Sequence, residues 1–141
     1  MNGDNRGQIS LEYMLIFTIS LIVLIVFTMP LVNQGIKTTL DVSDSIKAKS
    51  DLSKIALAIK TVYGEGQGSR QTVTINSEQS NKVDVESSYL SCNLKLKDNS
   101  YKLIKVSSKS NLKSSSIYLK KGENNVVVEW PVGSEKMLVY I

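Results

Sequence analysis

The residues best placed to do chemistry lie near the start of the chain. Glu12 is a carboxylate at the beginning of a stretch, Tyr13 to Val32, that runs twenty residues without a charge. Gln8 and Ser10 precede it at alternate positions, with Arg6-Gly7 ahead of those. An acid beside so long an apolar run is costly in lipid unless it is paired, so Glu12 reads as a functional residue in need of a cationic or hydrogen-bonding partner. Catalysis has little else to work with. There is no histidine and one cysteine, Cys92, which rules out a disulfide within the chain, a His/Cys metal cluster and the commonest general base. The expectation is a protein that is not an enzyme and uses neither cofactor nor metal.

The elements that must position these residues follow from hydrophobic period. At 1.5 Å per residue, residues 13–32 cover roughly 30 Å as a helix, the thickness of a bilayer core. Beyond them Ile36, Leu40, Ile46, Ile55, Ile59 and Val62 recur at helical intervals among charged residues, most strongly from Leu52 to Tyr63. A helix from Ile9 to Tyr63 is roughly 80 Å long. Pro30 removes a backbone hydrogen bond and Gly35 is a poor helix former, which predicts a kink between residues 27 and 36; the alternative is that Pro30 ends a short anchor.

Gly64, Gly66 and Gly68 then stop the helix, as a flexible joint or a turn. A phosphate loop is disfavoured because the Gly-Lys-Ser/Thr ending is missing. After the joint the period switches to two: Gln71 to Ile75, Val83 to Val85, Leu90 to Leu96, Tyr101 to Ser107, Ile117 to Lys120, Val126 to Trp130 and Leu138 to Ile141 read as strands. Turns are expected at Asp98-Asn99-Ser100 and Lys121-Gly122-Glu123-Asn124. The fold class is therefore α+β, a long N-terminal hydrophobic helix followed by a small antiparallel β-sandwich or barrel-like head. Cys92 belongs to the apolar face of its strand, a small buried hydrophobe rather than a reactive thiol. Trp130 and the six tyrosines are expected to complete the core, with a ligand-binding surface as the alternative.

Arg6-Gly7 followed by Gln8-x-Ser10-x-Glu12 and the apolar run resembles the class III signal peptide of archaeal type IV pilins, known from methanogens. The resemblance covers about the first thirty of the 141 residues; the rest matches by layout only. It implies cleavage between Gly7 and Gln8 by a prepilin peptidase on the cytoplasmic side. The domains are then a leader at 1–7, a long helix at 8–63 (membrane segment 13–32, amphipathic part 36–63), a glycine-rich joint at 64–69 and a β head at 70–141. It also implies assembly of identical or related subunits into a surface filament, helices in the core and β domains outside, by a membrane platform and its ATPase. The lipid bilayer is the partner before assembly. The new α-amino group of Gln8 is implied to meet Glu12 of a neighbour. Pairing would offset the solvation that both ions lose on entering a packed bundle. Gln8 can also cyclise to pyroglutamate, which leaves Glu12 a lactam N–H to bond. Archaellins share this leader type but usually lack the glutamate, and bacterial pilins usually begin with phenylalanine, so the pilin branch is preferred. No Asn-x-Ser/Thr sequon is present, which leaves room for a minor pilin.

Other observations bear on the rivals. A secretory signal peptide would be cut after its apolar core, but residues 28–35 contain no small-x-small site and the run exceeds the usual length. Charge balance on the two sides of the run is nearly even and does not orient it. The excess of positive charge falls on residues 69–141, with eleven bases against seven acids. These bases are scattered without an aromatic-interleaved block, so a solvated surface is expected and no specific nucleic acid. The alternatives to a pilin subunit for surface adhesion are a monomeric membrane-anchored binding protein and, from the basic head, a pilin-like component of DNA uptake.

Overall fold

The computed structural model describes residues 5–109 and 111–141; Met1 to Asp4 of the expected leader lie outside the described residues. The first element is one helix, α1 (Asn5–Glu65), 61 residues long, and Pro30 sits inside it. Seven strands follow: β1 (Arg70–Ser77), β2 (Asn81–Val85), β3 (Tyr89–Lys95), β4 (Tyr101–Ser107), β5 (Ser115–Leu119), β6 (Gly122–Glu129) and β7 (Leu138–Tyr140). They form a three-stranded sheet, β1-β6-β7, and a four-stranded sheet, β4-β3-β2-β5. Every pairing between these strands is antiparallel. The fold is α+β, and the head resolves into two sheets rather than a closed barrel. The chain divides into two compact units, Met1–Thr39 and Leu40–Ile141.

In the second unit the helix supplies one wall of the core. Leu52, Ile55, Ala58, Ile59 and Val62 recur every three or four residues, which aligns them along one side of the helix. All are fully buried, in the same cluster as Ile75, Val83, Leu90, Leu94, Val126 and Met137 from the head. Burial of each large side chain stabilises the fold by roughly 1.5–3 kcal/mol. Isolated helix propensity is worth far less, so packing is what fixes the helix here. Ile36, Leu40 and Ile46, read from the sequence as part of the same stripe, are exposed. Ile46 lies on nearly the opposite side of the helix from the buried set, and the hydrophobics of the stripe that pack against the core begin at Ala48.

The glycine segment is a hydrogen-bonded turn. Gly66 takes φ 90° and Gly68 φ 92°, the left-handed region that glycine adopts without strain. The Gly66 N–H donates to the Val62 carbonyl at 3.0 Å, closing the helix. The Gly68 N–H donates to the Trp130 carbonyl at 2.6 Å, and Trp130 N–H returns a bond to the Ser69 carbonyl at 2.9 Å. At the β3–β4 turn Asn99 also takes positive φ, and Asp98 accepts from both the N–H and the hydroxyl of Ser100, at 2.9 and 2.6 Å. Asparagine and aspartate at these positions are what that turn requires.

The tyrosines depart from expectation. Trp130 is half-buried and stacks on Tyr63 with ring centroids 5.6 Å apart. Tyr101 and Tyr118, at 68% and 67% exposure, stay outside the core altogether. Both occupy outward positions on their strands, where alternation points a side chain to solvent whatever its hydrophobicity.

Candidate functional site

Gly7, Gln8, Ser10 and Glu12 all lie within the first turns of α1. At 3.6 residues per turn, positions 8 and 12 share one helix face, while position 10 falls on the opposite side. The structure thus brings the Gln8 and Glu12 positions together and separates Ser10 from them. Glu12 is exposed, and so is every residue from Ser10 to Leu40.

The helix surface that follows is apolar all round. Leu15, Ile16, Ile19, Ile22, Leu24, Ile25, Val26 and Phe27 cover its whole circumference and are all exposed. An amphipathic stripe would leave a polar side for water; this segment has none. Its most apolar 18-residue window has mean hydropathy 2.8 and none of it is buried. Length and composition make α1 able to cross a membrane. One hydroxyl of the segment is satisfied within the helix itself. Thr18 donates its hydroxyl to the Met14 carbonyl at 2.8 Å, so it needs no water. Thr38 and Thr39 do the same toward Gln34 and Gly35, at 3.0 and 2.9 Å. Pro30 has no N–H to offer the Val26 carbonyl, yet the helix continues through it and through Gly35 rather than ending. A Cβ built on Gly35 would meet no heavy atom within 4 Å.

Among the described residues of the head, the buried side chains are apolar apart from Cys92, Ser77, Ser91 and Asn124. Cys92 is 3% exposed, and burial pushes its thiol up from the usual range, with the nearby Asp51 carboxylate adding to the effect. A protonated, enclosed thiol is a poor nucleophile. The cavity it lines, with Asp44, Asp51, Leu52 and Ser77 among the other walls, holds only about 20 Å³ of free space. Some titrating groups at the surface are in ion pairs or turns. Lys47 Nζ stands 2.6 Å from Glu78 Oε1, which raises the lysine and lowers the carboxyl through their hydrogen bond and their charges.

An exposed carboxylate followed by an apolar helix surface on all sides is the geometry of a segment able to enter a membrane. Residues 5–31 match the class III signal peptide family, the segment type of type IV pilin-like prepilins. The comparisons with curated proteins and with solved structures found no match. The segment therefore indicates a type IV pilin-like protein with an apolar N-terminal helix.

Sequence reasoning missed two features of the head. One is the set of contacts that tie the helix to loops of the sheets, through Asp41, Asp44 and Lys47. The other is the gathering of lysines and tyrosines on one sheet face. Neither has a local signature, because each joins residues from separate strands or from a strand and the helix.

Proposed function

We infer that this protein is a pilin: a structural subunit of an archaeal type IV pilus-like surface filament, assembled through α1 and serving surface adhesion. The observation that carries this reading is the apolar surface of residues 13–32, uncharged and exposed all round, directly behind Glu12 and almost wholly within the class III match. Such a surface suits lipid before assembly and several neighbouring helices after it. Cleavage before Gln8 frees an amine one helical turn from Glu12. That amine, or the lactam N–H of pyroglutamate, pairs with Glu12 of the adjacent subunit as both leave lipid. The peptidase needs the Gly7–Gln8 bond extended, and glycine lowers the cost of unwinding the helix there. Pro30 and Gly35 serve as the place where the helix bends or loosens during packing. The partners are other copies or related pilins, the prepilin peptidase, the assembly platform with its ATPase, and the bilayer, with the N-terminus cytoplasmic before assembly.

The test is intact mass and N-terminal peptide mapping of protein recovered from native membranes and from sheared surface material. A chain beginning at Gln8 or its pyroglutamate in the sheared fraction supports the reading. A chain still beginning at Met1 and found only in membranes overturns it in favour of an anchored monomer.

A further inference from the structure

The two sheets of the head present different outward faces. In the four-stranded sheet Val83, Leu90, Cys92, Leu94, Ile104 and Ile117 point into the core. The alternate positions, Lys82, Lys95 and Lys105 among them, therefore point out. Register sets them in rows. Lys105 lies opposite Ser91, Ser91 opposite Asp84, and Asp84 opposite Ser116. Tyr101 lies opposite Lys95, Leu103 opposite Asn93, and Tyr118 opposite Lys82.

The strands of this face carry three outward lysines and a single outward acid, Asp84. That acid is already held by Lys82 Nζ at 2.9 Å and by the Ser116 hydroxyl at 2.7 Å. Lys105 stands over the Tyr89 ring at 5.0 Å, and Lys95 is exposed. The outward positions of the three-stranded sheet hold the opposite balance: Arg70 against Glu123 and Glu129. The outward strand positions of the four-stranded sheet thus carry three lysines against one acid, a net +2, and those of the three-stranded sheet one arginine against two acids, a net −1.

Three physical points identify what fits. Strand geometry separates the Cα atoms of Lys95 and Lys105 by roughly 14 Å, so the two cations serve separate charges along a chain rather than one small anion. Tyr101 and Tyr118 offer exposed rings, which pack against the C–H faces of sugar rings as readily as against bases. Ser116 and Asn93, also at outward positions, are partners for hydroxyl groups. Arginine, the side chain best matched to phosphate and base edges, is absent from the strands of this sheet.

We propose that the outward face of the four-stranded sheet binds an acidic polysaccharide, with carboxylates of the polymer on Lys95 and Lys105 and its sugar rings against Tyr101 and Tyr118. The site does not depend on filament assembly; an anchored monomer would bind in the same way.

The test uses the full chain in nanodiscs of zwitterionic lipid, with polygalacturonate, its fully methyl-esterified form and oligothymidylate as probes. Polygalacturonate binds, the methyl ester binds at least about tenfold more weakly, and affinity falls as salt is raised. The double variant K95Q/K105Q weakens binding about tenfold at low salt, roughly threefold per lysine, while K60Q, on the helix, leaves it unchanged. Tyr118→Ala weakens it without altering the salt dependence. Thermal unfolding checks that each variant is folded; should the double variant not fold, the single substitutions are read instead. Equal binding of the methyl ester, tighter binding of oligothymidylate, failure of polygalacturonate to bind, or indifference to both lysines each overturns the proposal. None of these outcomes bears on N-terminal processing, so the two readings fail separately.

Discussion

The carboxylate of Asp41 accepts a hydrogen bond from the backbone N–H of Lys97 at 2.8 Å, joining α1 to the β3–β4 turn across 56 residues of sequence. Asp44, one turn further along, reaches the side chain of the same lysine at 3.8 Å, and Lys47, after another turn, takes Glu78 in the β1–β2 connection. One side of the helix therefore grips two loops of the head just before the buried stripe begins. Replacing Asp41 by alanine removes a charged acceptor from a backbone donor and should lower stability by about 1 kcal/mol. Urea unfolding of the full chain in detergent, followed by circular dichroism, reads the loss; an unchanged midpoint would make this contact incidental.

The buried stripe contributes more to stability than these loop contacts. Ile59 is fully buried among strand residues, and Ile59→Ala should cost about 2–5 kcal/mol, the range for deleting a buried branched side chain. Leu57, on the outward side of the same helix turn, is 63% exposed. Leu57→Ala should change the unfolding midpoint little. A comparable loss at both positions would mean that a different face of the helix meets the sheets.

Gly68 requires its positive φ, and a Cβ there would also come within 3.3 Å of Val132 Cγ2. Gly68→Ala should therefore destabilise by about 1–2 kcal/mol. Gly64, with nothing near its missing side chain and no positive φ, should accept alanine without loss. The pair of melting temperatures separates backbone strain from mere glycine content.

Acid should loosen the head through a few carboxylates. Asp98 is held below the usual carboxylate range by the Ser100 hydroxyl and N–H, and Asp84 by Ser116 and Lys82. A carboxyl depressed in the folded state stabilises it above the unfolded pKa, and that stability is lost as pH falls through the folded value. Stability from these groups should thus be flat from neutral pH to about 5 and fall below about 4. Asp98→Asn should flatten part of that decline in a pH series of thermal melts.

Glu12 separates charge from hydrogen bonding. If the partner in the filament is an ammonium, Glu12→Gln should abolish shear-released filaments. If it is pyroglutamate, Glu12→Gln should assemble and Glu12→Ala should not. Electron microscopy of sheared fractions distinguishes these, and normal assembly by the alanine variant would remove Glu12 from the assembly step.

Thiol labelling offers an independent view of the core. Cys92 should react with an aromatic disulfide reagent only as fast as the head unfolds, because its thiol is enclosed and kept protonated. Fast labelling under native conditions would mean that the helix leaves the sheets transiently.

Seven strands and a long helix were legible because both periods are written locally: Leu90, Cys92 and Leu94 alternate, and Ile55, Ile59 and Val62 repeat by turns. The class III segment was legible for a related reason, since Gly7, Gln8, Ser10, Glu12 and the apolar run are contiguous. The extent of the buried stripe was not, because Leu40 and Ala58 fall at the same angle round the helix and differ in whether strand residues pack against them. Nor was the fate of the tyrosines: Tyr101 and Tyr118 are as hydrophobic as core residues, and only strand alternation within a specific register puts them outside.

By itself, then, the sequence determined which segments are helix, strand and turn, and that residues 13–32 cannot rest in water, because these depend on neighbours within a few positions. Tertiary structure alone decided that β1 pairs with β6, that Asp41 holds the Lys97 amide, and that lysines from β2, β3 and β4 share one face. Each of those joins residues distant in the chain, and the energy that selects them comes from closing one core between two sheets and a helix, which no local window contains.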